Sequence, residues 1–135
     1  MIVVDACFIT PLFVREDESE EVERVYDCDA HWVAPPLWRY ELQNILWKKI
    51  RKGIVDEADA LSIVLEAEAL VDTRPDFLPN LTLKTAALHG LSAYDATYVA
   101  LAGYLNLPLV TYDKQVLAAG LGTHPRDFLL LMGCP

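Results

Sequence analysis

The chain opens on a continuous apolar run, Ile2-Val3-Val4, that stops at Asp5. An unbroken β-branched run suits a strand covered on both faces, as in a parallel sheet, so a short buried strand ending in a carboxylate is predicted. Ser19 with Glu20 and Glu21 opens a helix through about Asp27, and His31-Trp32-Val33-Ala34 before Pro35-Pro36 reads as a second strand. From Pro36 to Lys52 the apolar spacing is helical and ends at Gly53, with proline in the first turn and basic residues in the last. Asp56 begins a further helix to about Leu70-Val71, so the two should pair as an αα-hairpin.

Thr73 to Pro79 reads as a short extended or strand segment, with Asn80 capping a helix to His89-Gly90. Ser92 caps the next helix, which runs to about Leu105, and Leu107 to Thr111 forms the last clear strand. A short helix from Asp113 to Ala119 closes at Gly120, and Pro125 to Leu131 leaves room for a fifth strand. Short strands alternating with helices predict an α/β fold: a three-layer α/β/α sandwich with a central parallel sheet, in one domain. Ligands in such sheets sit beyond the strand C-termini, where Asp5 and Asp113 both follow strands.

Composition supports this reading: 135 residues with 53% hydrophobic content can bury a core without disulfides or a structural metal. The opening MIVVDACFIT has no basic segment and its apolar run is broken by Asp5, so neither a signal peptide nor a membrane span is expected. Cys7, Cys28 and Cys134 form no CxxC or Cys/His metal spacing and suit reduced thiols in a cytoplasm. The net charge of −9 argues against ordinary nucleic-acid binding through Lys and Arg. Much of the acid excess lies in EDESEEVE, which reads as a solvated helix face or a surface for a basic partner. Lys48, Lys49, Arg51 and Lys52 are the one basic cluster, expected near any bound RNA.

Four acids lie at element boundaries or helix edges within apolar sequence: Asp5, Glu41, Asp95 and Asp113. At about 100° per residue, Glu41 borders the apolar arc of Trp38, Leu42, Ile45, Leu46 and Ile50. Asn44, Lys48 and Lys52 continue a polar stripe from it. Asp95 has a bland alternative, because Ser92-x-x-Asp95 matches a capping box. Asp113 equally suits an N-cap. Asp5 has the weakest bland account, since a carboxylate ending a buried strand needs a partner or a cation. Acids converging without basic neighbours would repel unless a divalent cation neutralised them, and hard oxygen ligands select Mg²⁺ or Mn²⁺.

On these residues the chain resembles the PIN-domain family, and within it the VapC-like toxins. The resemblance rests on Val3-Val4-Asp5-Ala6, Arg39-Tyr40-Glu41-Leu42-x-Asn44, Leu91-Ser-Ala-Tyr-Asp95-Ala96-x-Tyr98-Val-Ala-Leu-Ala102 and Leu107-Pro-Leu-Val-Thr111-x-Asp113. It implies a Rossmann-like sheet and an acidic pocket of Asp5, Glu41, Asp95 and Asp113 that holds Mg²⁺ or Mn²⁺ and cleaves RNA. It also implies a homodimer and a cognate antitoxin that blocks the site. Cys7 stands where the family commonly has Ser or Thr, and Thr111 matches the family and is expected to supply a compensating hydroxyl.

Two other functions compete. A phosphoacceptor signalling domain would use strand-end acids, Mg²⁺ and a lysine such as Lys114, but the middle strand offers only Asp76. A silent RNA-binding or scaffold PIN domain would be favoured by loss of an acid, and none is lost. His31, His89 and His124 lie in no ligand spacing, and Trp32, Trp38 and Trp47 suit a core or dimer surface.

Overall fold

In the computed structural model, which describes residues 1–135, the apolar runs become four short strands. They are β1 (Ile2–Val4), β2 (Trp32–Ala34), β3 (Asp72–Thr73) and β4 (Leu109–Val110), in spatial order β3-β2-β1-β4 and all parallel. Val3 is partnered by Val33 on one side and Leu109 on the other. Both central strands are wholly buried, which is why their sequence shows no polar alternation.

Eight helices connect and cover the strands: α1 (Ala6–Ile9), α2 (Ser19–Cys28), α3 (Leu37–Arg51), α4 (Glu57–Leu70), α5 (Pro79–His89), α6 (Ala93–Leu105), α7 (Lys114–Ala118) and α8 (Pro125–Met132). The chain steps outward from β1 to β3, then returns past β1 to β4. Right-handed crossovers therefore put the helices before β3 on one face and α5 and α6 on the other, completing the three layers. The reversal between β1 and β4 is the switch point at which the flanking connections diverge and leave a crevice.

Trp32 and Trp38 are the largest fully buried side chains in a core cluster of 29 residues. Each indole finds an acceptor: Trp32 donates to the Asp29 carbonyl at 2.9 Å and Trp38 to the Thr73 hydroxyl at 2.8 Å. Trp47 is exposed. No helix is long and apolar enough to cross a membrane.

Several expectations need correction. The extended segment expected from Thr73 pairs only at Asp72–Thr73, because Pro75 cannot donate to a ladder. Asn80 is not the cap of α5; Leu78 holds that position and Pro79 starts the helix, where a missing N–H costs nothing. The tail forms α8 rather than a fifth strand. His124 caps it by accepting from Arg126 N–H through Nδ1 at 3.1 Å, Pro125 starts it, and Phe128 and Leu129 are buried. Strand pairing survives only as one bridge between Val110 and Thr123. The thiols expected to be free also differ: Cys28, at the end of α2, and Cys134, beyond α8, form a disulfide, and only Cys7 is free. Their separation of 106 residues hid the pair, since only the packing of α8 on α2 brings them together.

Candidate active site

Asp5 follows β1 and caps α1, accepting Phe8 N–H at 2.8 Å. This four-residue helix was not legible in the sequence, and it supplies the bland role that Asp5 lacked. The other Asp5 oxygen accepts the hydroxyl of Thr111, which is fully buried after β4. Thr111 Oγ1 also accepts Asp113 N–H at 3.0 Å, so one hydroxyl ties together the two strand ends beside the switch point. Gly122 presses on that residue: a Cβ there would lie 2.8 Å from the Thr111 methyl.

Asp113 caps α7 through Val116 N–H at 2.9 Å. On α6 only half of the capping box forms. Ser92 Oγ accepts Asp95 N–H at 3.1 Å, while the Asp95 carboxylate makes no return bond. Glu41 sits on α3 beside the face buried by Trp38, Leu42 and Leu46 and accepts the hydroxyl of Tyr98. Tyr98 is buried one turn after Asp95, a spacing of three that puts both on one side of α6.

All four acids line one cleft of about 190 Å³, together with Ala6, Cys7, Tyr98 and Tyr112. No lysine, arginine or histidine lines it. Burial pushes the Asp5 carboxyl up to about 6 against the hydrogen bonds from Thr111 and Phe8, with Glu41 and Asp113 adding repulsion. Glu41 is raised by burial and by Asp95, and Asp95 by burial and by Asp113. The Cys7 thiol is pushed up to about 11 by burial and then by the four carboxylates, so it is no nucleophile here.

This oxygen-only donor set fits a hard divalent cation. In this conformation no three acid, histidine or cysteine side chains close into a ready-made metal cage. Asp5 and Glu41 each give one oxygen to a hydroxyl, which leaves their other lone pairs for a cation or its waters. Mg²⁺ keeps several waters and needs only one or two carboxylates, which this cleft supplies.

Other expected residues divide. Thr111 and Cys7 stand at the cleft, whereas Asn44 is exposed and outside its lining. Lys48, Arg51 and Lys52 share a shallow surface hollow at the end of α3, but Lys49 is drawn away to Glu16. By helical rise, Lys48 lies about 10 Å from Glu41 along the axis. Tyr98 and Tyr112 were not singled out from sequence. Their signal was position, one turn from Asp95 and between Thr111 and Asp113. None of the three histidines lines the cleft. Asp76 lines a different cavity and Lys114 is absent from the acidic cleft, so the phosphoacceptor arrangement does not form.

Comparison with known proteins agrees with this fold. The PIN domain family model matches residues 2–120. The chain is 36% identical over 120 residues to "Ribonuclease VapC3" of Pyrobaculum aerophilum, covering 85% of this chain and 91% of the relative. The crystal structure of PAE2754 from Pyrobaculum aerophilum superposes with a TM-score of 0.77 at 26% identity, covering 98% of this chain and 88% of that one. A toxin–antitoxin complex from Klebsiella pneumoniae shares the fold alone, with a TM-score of 0.72 at 13% identity over 93% of this chain and 98% of that chain. A match of this extent to the family model, joined by close kinship to a VapC ribonuclease, makes the chain a member of the PIN-domain family.

Proposed function

We propose that this chain is a Mg²⁺- or Mn²⁺-dependent endoribonuclease and the toxin of a type II toxin–antitoxin pair. The observation that carries the reading is the convergence of Asp5, Glu41, Asp95 and Asp113 on one cleft without a basic residue in its wall. Asp5, Asp95 and Asp113 would hold the cation, which when bound activates water and offsets charge on a phosphodiester. Thr111 fixes Asp5 and Asp113 relative to each other. Tyr98 engages one oxygen of Glu41, leaving the other to take a proton from the attacking water. Tyr112, held by Glu21 at 2.8 Å, closes the cleft wall.

The partners follow from the same reading. The toxin–antitoxin neighbour supports a cognate antitoxin, and exposed Trp47, Ile54, Leu61 and Leu65 on and between α3 and α4 offer it an apolar surface. We extend the proposal to a homodimer acting in the cytoplasm, where the RNA substrate is met.

The test is incubation of purified protein with linear and circularised RNA in Mn²⁺ and in EDTA. Both substrates should be cut in Mn²⁺ only; an untouched circle would leave an exonuclease. Asp5→Asn, Glu41→Gln, Asp95→Asn and Asp113→Asn should each lose about a hundredfold or more of the rate while staying folded. The double variant of Asp5 and Asp95 should be little worse than the poorer single one, as for groups acting as a unit. Intact RNA binding with no cleavage by wild type would favour the silent scaffold.

A further inference from the structure

The outer face of α3 carries two parallel lines of side chains that start at the acidic cleft. Tyr40, Trp47 and Arg51 recur at intervals of seven and four residues, so at about 100° per residue they share one exposed line. Glu41, Lys48 and Lys52 repeat the same intervals one residue further on and form a second line beside the first. Each line extends about 16 Å along the helix, from its first turn to its last. Buried Trp38, Leu42 and Leu46 face the other way, and Arg39 turns to Glu68 on α4.

The cations on this face are uncommitted. Arg15, Arg39, Lys49, Arg74 and Arg126 are each drawn to a carboxylate, whereas Lys48, Arg51 and Lys52 make no ion pair and alone line a hollow of about 260 Å³. No acid follows Glu41 until Asp56, so the helix itself does not neutralise them. Three such cations around one concavity, in a chain of net charge −9, make a seat for an anion. The aromatics are equally open: Tyr40 is 68% and Trp47 54% exposed, while Trp32 and Trp38 are fully buried. Arg51 lies over the Trp47 ring, 5.8 Å from its centroid, and steadies the indole by a cation–π contact.

Resting on the ribonuclease reading, we infer that this face of α3 is the track on which a single strand of RNA lies as it leaves the acidic cleft. Its phosphates run over Lys48 and Lys52, and two of its unstacked bases rest on Tyr40 and Trp47. A line of cations that follows the backbone, beside aromatic platforms for the bases, is the combination that binds single strands without reading their sequence. A bare polyanion would use only the cations and an apolar partner only the rings. A duplex keeps its base faces stacked away from both rings. The track begins at Glu41, so a strand lying on it brings its next phosphodiester to the cleft. Trp47 also belongs to the surface offered to the antitoxin, so an antitoxin seated there would shut substrate out of the far end of the track.

Binding is measured in EDTA, where no metal-dependent cleavage occurs, by anisotropy of a fluorescein-labelled RNA dodecamer, alone and annealed to its complement. The single strand should bind more tightly. Tyr40→Ala and Trp47→Ala should each weaken its binding by about five- to a hundredfold, the usual range for a lost stacking partner, and leave the duplex affinity unchanged. Trp47→Phe, which keeps a ring, should recover most of that loss. In Mn²⁺ both alanine variants should raise KM for the single strand and leave kcat near wild type, because neither residue lines the cleft. Both side chains are too exposed for their loss to threaten folding, and melting curves check each variant. Equal affinity of wild type for single strand and duplex would overturn the track. So would an unchanged single-strand affinity in either alanine variant, which at Trp47 would leave the indole to the antitoxin alone. The nuclease reading is judged separately by cleavage in Mn²⁺ and its loss in Asp5→Asn, so it stands if only the track fails.

Discussion

Asp5 does two jobs that conflict. It caps α1 and anchors Thr111, yet as a carboxylate it sits partly buried among three other acids. In the unfolded chain it titrates near 3.8, and in the fold near 6. The folded state therefore binds the proton more tightly, so the stability this group contributes is complete below pH 4 and is lost as pH rises through 6. Asparagine keeps the cap and removes the charge. We expect Asp5→Asn in EDTA to melt higher than wild type at pH 7.5, by the equivalent of roughly 1–3 kcal/mol. That advantage should shrink toward pH 4.5, and Mn²⁺ should raise the wild-type midpoint but not the variant's. A pH-independent difference would remove the charge argument. Gly122 provides a second probe, because a methyl there must displace Thr111. Gly122→Ala should cost about 1–3 kcal/mol of stability by overpacking and slow cleavage by moving the hydroxyl that sets Asp5.

The elements show how much of this was written locally. The α3 helix announced itself through periodicity, proline entry and a basic last turn, and the structure starts it at Leu37 and ends it at Arg51. Its placement of Glu41 beside the buried face followed from the helical period alone. The tail α8 did carry helix signals that the strand expectation passed over, Pro125 at its entry, Asp127 in its first turn and Gly133 at its end, while its burial depends on α2. The convergence of the four acids needed the strand order, which places β4 beside β1 after a long excursion. What the sequence could not show was how they are held: Thr111 and Tyr98 reach Asp5 and Glu41 across 106 and 57 residues. The same helix supplies a test. Lys48 and Lys52 remain free of ion pairs while Lys49 is bound to Glu16, so only the first two should meet RNA phosphates. Replacing both with alanine should flatten the dependence of log Kd on log salt by up to about 1.4, near 0.7 per lost contact on single-stranded RNA. Lys49→Ala should leave the slope alone. Equal slopes in all three proteins would assign the cluster to solvation or to the antitoxin.

For the molecule as a whole, the Cys28–Cys134 link closes residues 28–134 into a loop. It joins the end of α2 to the segment beyond α8, two helices that already pack through buried Val22, Val25, Phe128 and Leu129. Arg24 adds a bond to the terminal carbonyl of Pro135 at 2.9 Å. Native packing of α8 therefore does not depend on the disulfide, whose main effect falls on the unfolded chain by restricting its conformations. For a loop of this length that effect is about 3–5 kcal/mol. None of the four acids lies on α2 or α8; this region meets the cleft wall at Tyr112, through the Glu21 hydrogen bond and the edge-on ring of His124, the cap of α8. We therefore expect reductant, or Cys134→Ser, to lower the thermal midpoint strongly while leaving cleavage near wild type well below that midpoint. Reductant should have no effect on the midpoint of Cys134→Ser, which separates the link from any influence of the free Cys7. Loss of cleavage at low temperature on reduction would show instead that α2 holds Tyr112 and the cleft wall only under tension from the link. An unchanged midpoint would mean that the α2–α8 packing already restrains the chain as much as the cross-link does.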